Sequence, residues 1–135
     1  MGQQQLLLII LGVIVVGIAV AVGITMFTDN AVSANKDAVT NDLVNLASRA
    51  QQYYRRPLAL GGGQGAFTGL TANGAGLAKL TSKAINSNGT YAIHTAGDAN
   101  SVEIWGTGTE KGTDGLPLSV KMLVFADSTY VTFAN

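Results

Sequence analysis

Cysteine is absent from the 135 residues of this chain, and histidine occurs only once, as His94. Without cysteine the chain has no disulfide framework, no thiolate metal site and no residue for covalent haem attachment. His94 is predicted to lie within a strand with no acidic residue at a neighbouring same-face position, so no pair of nucleophile and base is expected. These scarcities predict a protein that is not an enzyme and that binds no metal or cofactor.

Charge is missing from the first 28 residues, and residues 6–27 are apolar except for Thr25 and three glycines. A helix of that length reaches about 33 Å at about 1.5 Å per residue, which is enough to cross a bilayer. A buried helix of a soluble domain would be shorter and would carry a polar stripe. A cleaved secretory signal is the alternative, but no basic residue precedes the run. Residues 1–28 are therefore predicted to form a membrane-compatible helix.

All the charged residues, eight basic and eight acidic, follow Thr28. No basic face for nucleic acid is indicated. The sequence Tyr53, Tyr54, Arg55, Arg56 has the residue types of a nucleic-acid contact, but it fits better as a helix end with cations at the negative pole of the helix dipole. A net charge of zero on a surface rich in hydroxyl and amide groups favours self-association.

Beyond residue 28 the apolar residues recur at helical spacing, at Val32, Val39, Leu43, Leu46, Ala50 and Tyr53. Because no proline occurs before Pro57, we predict one continuous helix over residues 3–54, whose second half, residues 29–55, is amphipathic. Pro57 and the three glycines at 61–63 end it. A glycine-rich loop and a short helix over residues 76–86 are predicted to follow.

The period then changes to two, which predicts four strands over residues 90–95, 101–106, 118–126 and 129–134. The turns between them are short enough for an antiparallel meander, with residues 106–115 as a flexible glycine-rich turn. The sequence thus predicts an α+β fold in which a long helix packs on a four-stranded antiparallel sheet, and residues 29–135 form the head. The expected core pairs the sheet with the amphipathic helix: Val102, Ile104, Val120, Met122 and Val124 against Val39, Leu43 and Leu46.

Two weaker patterns concern ligands and modification. Asn88-Gly89-Thr90 matches a glycosylation acceptor, which makes Asn88 a candidate site. The acidic residues of the second half lack the spacing of a calcium loop, although a calcium site shared between two loops is left open: Asp98, Glu103, Glu110, Asp114 and Asp127.

This layout, and the start of the sequence, resemble the type IV pilins and pseudopilins. In that family a glutamate precedes a Leu-Leu pair, and here Gln5 precedes Leu6 and Leu7 if Met1 is taken as the first mature residue. The resemblance implies a major pilin, the structural subunit of an extracellular type IV pilus-like filament, held in the inner membrane before the pilus assembly machinery extracts it. The alternatives are a minor pseudopilin of a type II-like secretion system and a single-pass anchored binding domain that does not polymerise.

Under this interpretation the partners of the chain are copies of itself, and the N-terminal helix forms the filament core. A charge in such a core would be costly, and glycines let neighbouring helices approach closely. The three glutamines would supply hydrogen bonds between subunits. The candidate assembly residues are Met1, Gln3, Gln4, Gln5, Leu6, Leu7, Gly12, Val16, Gly17, Gly23 and Phe27.

Overall fold

A computed structural model describes residues 2–134 and contains one long helix and one four-stranded sheet. The α+β prediction is confirmed. The elements, in chain order, are α1 (Gly2–Arg55), a 3₁₀ turn (Leu58–Leu60), α2 (Gly74–Ala78), β1 (Gly89–Thr95), β2 (Ser101–Lys111), β3 (Pro117–Phe125) and β4 (Thr129–Phe133).

The first helix runs without interruption through 54 residues, as the absence of proline predicts. Its length is about 81 Å at about 1.5 Å per residue. The loop after Pro57 folds back over the helix end, where the backbone N–H groups of Gly63 and Gly65 donate to the carbonyls of Tyr53 and Tyr54. These bonds satisfy carbonyls that have no acceptor role inside the helix. The end of α1 is therefore closed by its own loop.

The sheet is an antiparallel meander in the order β1-β2-β3-β4. Its register places Ile104 of β2 opposite Ile93 of β1 and Met122 of β3. Alternate residues of β2 and β3 are buried on the face that packs against α1, which confirms the predicted core. In β4, by contrast, every residue is exposed. The fourth strand is thus an exposed edge of the sheet, which α1 contacts through Lys36, whose Nζ lies 3.9 Å from the centre of the Phe133 ring.

The helix lies very close to the sheet at Gly106. A Cβ atom at this position would lie 2.7 Å from Cγ1 of Val39, closer than two carbon atoms can pack. The predicted flexible turn over residues 106–115 is therefore wrong for its first half. Strand β2 continues to Lys111, which pairs with Pro117, and the turn is confined to residues 112–116. The lack of a side chain at Gly106 allows α1 to pack close to the strand, and it does not indicate a flexible backbone.

The predicted helix over residues 76–86 is also wrong in its extent. Helix α2 begins after Asn73, whose side chain accepts hydrogen bonds from the N–H groups of Ala75 and Gly76, and it ends at Ala78. Ile85 instead forms a β-bridge with Thr90, and the N–H of Tyr91 donates to the carbonyl of Ala84. Pairing with β1 overrides the helical pattern of this segment.

Candidate functional site

The candidate site is the surface of α1 over residues 6–27, here called the apolar segment. Each of its sixteen large apolar side chains exposes at least 53% of its surface. The first buried residue of α1 is Val39, so the head contacts only the second half of the helix. Within the described chain, α1 is the one helix that is long and apolar enough to cross a membrane. The apolar segment therefore has no cover from its own protein.

Three glycines interrupt this surface. At Gly12, Gly17 and Gly23 a Cβ atom would meet nothing within 4 Å. At 3.6 residues per turn, Gly12 and Gly23 lie within about 20° of each other, and Gly17 lies about 140° from Gly12. The missing side chains thus open two different sides of the helix, where neighbouring backbones can come close.

The few polar groups of this region are satisfied inside the helix or lie at its start. The hydroxyls of Thr25 and Thr28 donate to the carbonyls of Ala21 and Ile24, at 3.0 and 3.1 Å. Such bonds hide both hydroxyls from a surrounding apolar phase. At the start of the helix the glutamines at 3–5 are exposed, and Met1 lies outside the described residues.

The structure places the other candidate residues together on this exposed helix: Gln3, Gln4, Gln5, Leu6, Leu7, Gly12, Val16, Gly17, Gly23 and Phe27. Their role in assembly stays a prediction, because a single chain contains no subunit contact. The apolar segment stays clear of the head because the sheet packs on the second half of α1, so the joint between α1 and the sheet sets this separation.

Beside the apolar core, one carboxylate of α1 contributes three hydrogen bonds to that joint, and the sequence patterns did not identify it. Oδ2 of Asp42 accepts hydrogen bonds from the Tyr91 hydroxyl at 2.5 Å and from the side-chain amides of Asn86 and Asn88 at 2.8 and 2.9 Å. The Asn35 amide donates to the Asn88 carbonyl at 2.8 Å. We call Asp42, Asn86, Asn88 and Tyr91 the Asp42 clasp.

Burial and hydrogen bonding together set the pKa values of Asp42 and Tyr91 in the clasp. Burial by itself raises the pKa of Asp42, but hydrogen bonds from Tyr91, Asn88 and Asn86 outweigh it and hold that pKa below its ordinary value. Burial, and next the hydrogen bond to Asp42, raise the pKa of Tyr91. The clasp is thus most stable with an ionised carboxylate and a neutral phenol.

The clasp also bears on the glycosylation candidate. The side-chain nitrogen of Asn88 is the atom that a glycan would modify, and it is the atom that donates to Asp42. Its backbone carbonyl is bonded as well. A glycan on Asn88 would require this part of the clasp to open.

The prediction that His94 has no acidic neighbour is wrong. A bulge between Ile93 and Thr95 shifts the register, and His94 Nδ1 lies 3.5 Å from Oε1 of Glu103 on β2. The His94 ring stacks on Trp105 with centroids 3.8 Å apart, and Nζ of Lys121 lies 4.3 Å from the centre of the same indole.

This cluster does not have the geometry of a catalytic triad. The hydroxyl of Thr95 lies 3.5 Å from Nδ1 of His94, the same ring nitrogen that faces Glu103. A triad requires the nucleophile and the carboxylate on different nitrogens of the ring. Within residues 2–134, no group of three or more histidine, aspartate or glutamate side chains is placed to hold a metal ion.

Comparison with known proteins gives no match: neither a protein-family model, nor a curated protein, nor a solved structure is similar enough to this chain. The architecture itself, a long apolar N-terminal helix followed by a four-stranded antiparallel sheet, is compatible with a pilin-like layout. What can be proposed about function therefore rests on the geometry of α1 and of the head.

Proposed function

We propose that this protein is the repeating subunit of an extracellular type IV pilus-like filament, and that it polymerises through the apolar segment. The observation that carries the proposal is the exposure of residues 6–27 on every side of a helix that continues, without a break, into the core of a folded head. The head has a polar surface that water can solvate. The apolar segment has a surface whose exposure to water is unfavourable.

Burial of the apolar segment, away from water, is energetically favourable. Burial of one large aliphatic side chain contributes about 1.5–3 kcal/mol, and sixteen large apolar side chains stand exposed here. A bilayer provides that cover before assembly, since the segment is long enough to span it. A bundle of identical helices provides it afterwards, without any change in the fold of the subunit.

The glycines favour a bundle over lipid alone. A helix that only spans lipid has no use for close approach, yet glycines open two sides of this one. The lack of charge in the segment suits both surroundings, because a charge is costly to bury in lipid and in a bundle of apolar helices. The glutamines at the start of the helix then become hydrogen-bonding groups between neighbouring subunits.

The test is to shear cells that produce the protein and to separate the released material from the membranes. We expect fibres whose main chain by mass spectrometry is this protein, and electron cryomicroscopy should show α1 at the fibre centre. A variant limited to residues 29–135 serves as the control and should be absent from fibres. Protein found only in membranes would support the anchored domain instead, and fibres composed mainly of another chain would support the minor pseudopilin.

A further inference from the structure

The charges of the head are segregated along the sequence. Residues 43–97 contain five basic residues and no acidic one, whereas the remaining positions hold all eight acidic residues and only three basic ones. In the fold, Arg55 and the exposed Leu58 lie at one end of the head, and Asp114 and the exposed Leu116 lie at the opposite end. The end near Arg55 is called the distal end, and the end near residues 28–36 of α1 is called the proximal end.

The distal end combines positive charge with an apolar groove. Arg55 is the last residue of α1, and in the 3₁₀ turn that follows Leu58 and Leu60 expose 68% and 71% of their surfaces. Tyr54, Arg55 and Leu58 line an open groove of about 610 Å³, and none of the residues that line this groove is acidic. Two acidic residues also lie on the sheet side of this end, outside the groove. The carboxylate of Asp98 accepts two backbone N–H bonds, and Asp127 lies in the β3–β4 turn, where the Phe125 carbonyl accepts a hydrogen bond from the Gln51 amide.

The proximal end combines negative charge with one exposed leucine. The β2–β3 hairpin tip, residues 112–116, is held by a bond from the Gly112 N–H to the Leu116 carbonyl at 2.8 Å. Leu116 exposes 59% of its surface, and the exposed Glu110 and Asp114 lie beside it in the chain. Gly112 and Asp29 border the same cleft, which places the hairpin tip beside the start of the head. Acidic residues predominate here, as Asp29, Asp37, Glu110 and Asp114 against Lys36 and Lys111.

The two ends lie far apart in one molecule. From Val32, which borders the cleft beside the hairpin tip, to Arg55, α1 extends about 35 Å at about 1.5 Å per residue. The hairpin tip of a chain therefore cannot reach the groove of the same chain. Two different surfaces that complement each other make a heterologous contact, which propagates from copy to copy instead of closing on itself.

We propose that the heads dock head to tail in the filament, with Leu116 and Asp114 of one copy entering the groove formed by Leu58 and Arg55 of another copy. This inference rests on the proposed function, because it concerns the arrangement of the same filament. The leucines bury apolar surface, and the opposite charges select this pairing over tip against tip or groove against groove. The occupant of the groove is thus a second copy of this chain.

Cysteine cross-linking tests the contact, and the chain offers a cysteine-free background for it. The double variant Leu58→Cys/Leu116→Cys is assembled into fibres and mildly oxidised. A disulfide requires Cα atoms about 4.4–6.8 Å apart, so only a contact between two copies can form it. We expect a ladder of covalent multimers on non-reducing gels. The matched controls are each single variant and Leu58→Cys/Val44→Cys, since Val44 is exposed on α1 away from both ends; these should give no ladder.

A charge exchange provides a second, independent measurement. Arg55→Glu should lower the fibre yield several-fold, and the added change Asp114→Arg should restore it, because the pair then has opposite charges again. Fibres that form but give no ladder, together with no rescue, would overturn the head-to-tail contact and leave the filament proposal intact. A complete lack of fibres from the unaltered chain would overturn both.

Discussion

The phenol of Tyr91 on β1 donates a hydrogen bond of 2.5 Å to Oδ2 of Asp42 on α1, and the same oxygen accepts from the amides of Asn86 and Asn88. One carboxylate of the long helix therefore holds three side chains from the segment that leads into the sheet. The contact joins residues that are 49 positions apart in sequence. It fixes the start of β1 against the helix and gives the head a polar fastening next to its apolar core.

Removal of the Tyr91 hydroxyl should lower the stability of the head. Tyr91→Phe keeps the buried ring but leaves Asp42 with two donors, and a hydrogen bond to a charged group contributes about 1.5–3 kcal/mol. We expect a loss of that size in the free energy of unfolding, measured by urea denaturation of a fragment of residues 29–135. Tyr130→Phe is the matched control, because Tyr130 is exposed on β4. Equal stability of the two variants would contradict the role of the clasp.

Acid should loosen the same fastening. Because the folded head holds the pKa of Asp42 below 3.8, the unfolded chain binds the proton more tightly. The stability due to Asp42 is thus present above about pH 3.8 and is lost as the pH falls from there through the folded pKa. Asp42→Asn should show a smaller decrease in melting temperature over this range. Asp98, whose pKa is lowered by backbone bonds from Asn100 and Ser101, should account for part of the remaining decrease.

The apolar core should be sensitive at Leu43. This side chain is fully buried between α1 and the sheet, whereas the adjacent Val44 is 46% exposed. Leu43→Ala removes buried methyl groups and leaves a cavity, so it should lower the free energy of unfolding by about 2–5 kcal/mol. Val44→Ala should change it little. An unchanged thermal melt for Leu43→Ala would disprove the packing of the helix on the sheet.

Assembly should be sensitive at Gly17. Gly17→Leu keeps the segment apolar, and a Cβ atom at this position meets nothing within 4 Å in the single chain, so insertion and folding should be preserved. A leucine there would block a close neighbouring helix. We expect normal amounts of the variant in membranes and a sharp decrease in sheared fibres. Ile18→Leu, on the same exposed surface, is the control and should assemble normally. Fibres from Gly17→Leu in normal yield would show that no tight helix contact forms at this position.

Asn88 should carry no glycan in the folded protein. Its side-chain nitrogen is engaged by Asp42, although the sequence pattern around it matches an acceptor. Mass spectrometry of peptides from purified protein should show Asn88 unmodified. Asp42→Ala releases this nitrogen and is the informative comparison in a host that glycosylates proteins. A glycan on Asn88 of the unaltered protein would mean that the clasp opens before or during folding.

The parts of the fold that could be predicted are those set by local periodicity. Val39, Leu43 and Leu46 recur at helical spacing, and they do form the buried stripe of α1. Alternation in β3 placed Val120 and Met122 on the core side, which is confirmed. The uncharged N-terminal run likewise predicted a membrane-compatible helix that is apolar on every side, and α1 is long and apolar enough to cross a membrane. In each case one repeating pattern within one element is sufficient to decide which face is buried.

The parts that could not be predicted depend on contacts between distant elements. The sequence predicts that Gly106 is part of a flexible turn. The structure shows that it lies under Val39 of α1, where no side chain fits. Glu103 comes near His94 only because a bulge shifts the register of β1. Asp42 reads as an ordinary surface carboxylate, and its three donors come from residues 44 to 49 positions later in the chain. No spacing rule within a single element reports such contacts.

The unbroken course of α1 has a mechanical consequence. In a filament, tension applied to a head would pass along one continuous rod into the central bundle, since no loop or proline lies between them to act as a hinge. A single subunit would then lengthen where helical turns of α1 are lost. Glycine weakens a helix by about 1 kcal/mol relative to alanine, so yielding would begin around Gly12, Gly17 and Gly23. In the proposed filament, the same three positions would thus serve close packing and be the first to yield under load.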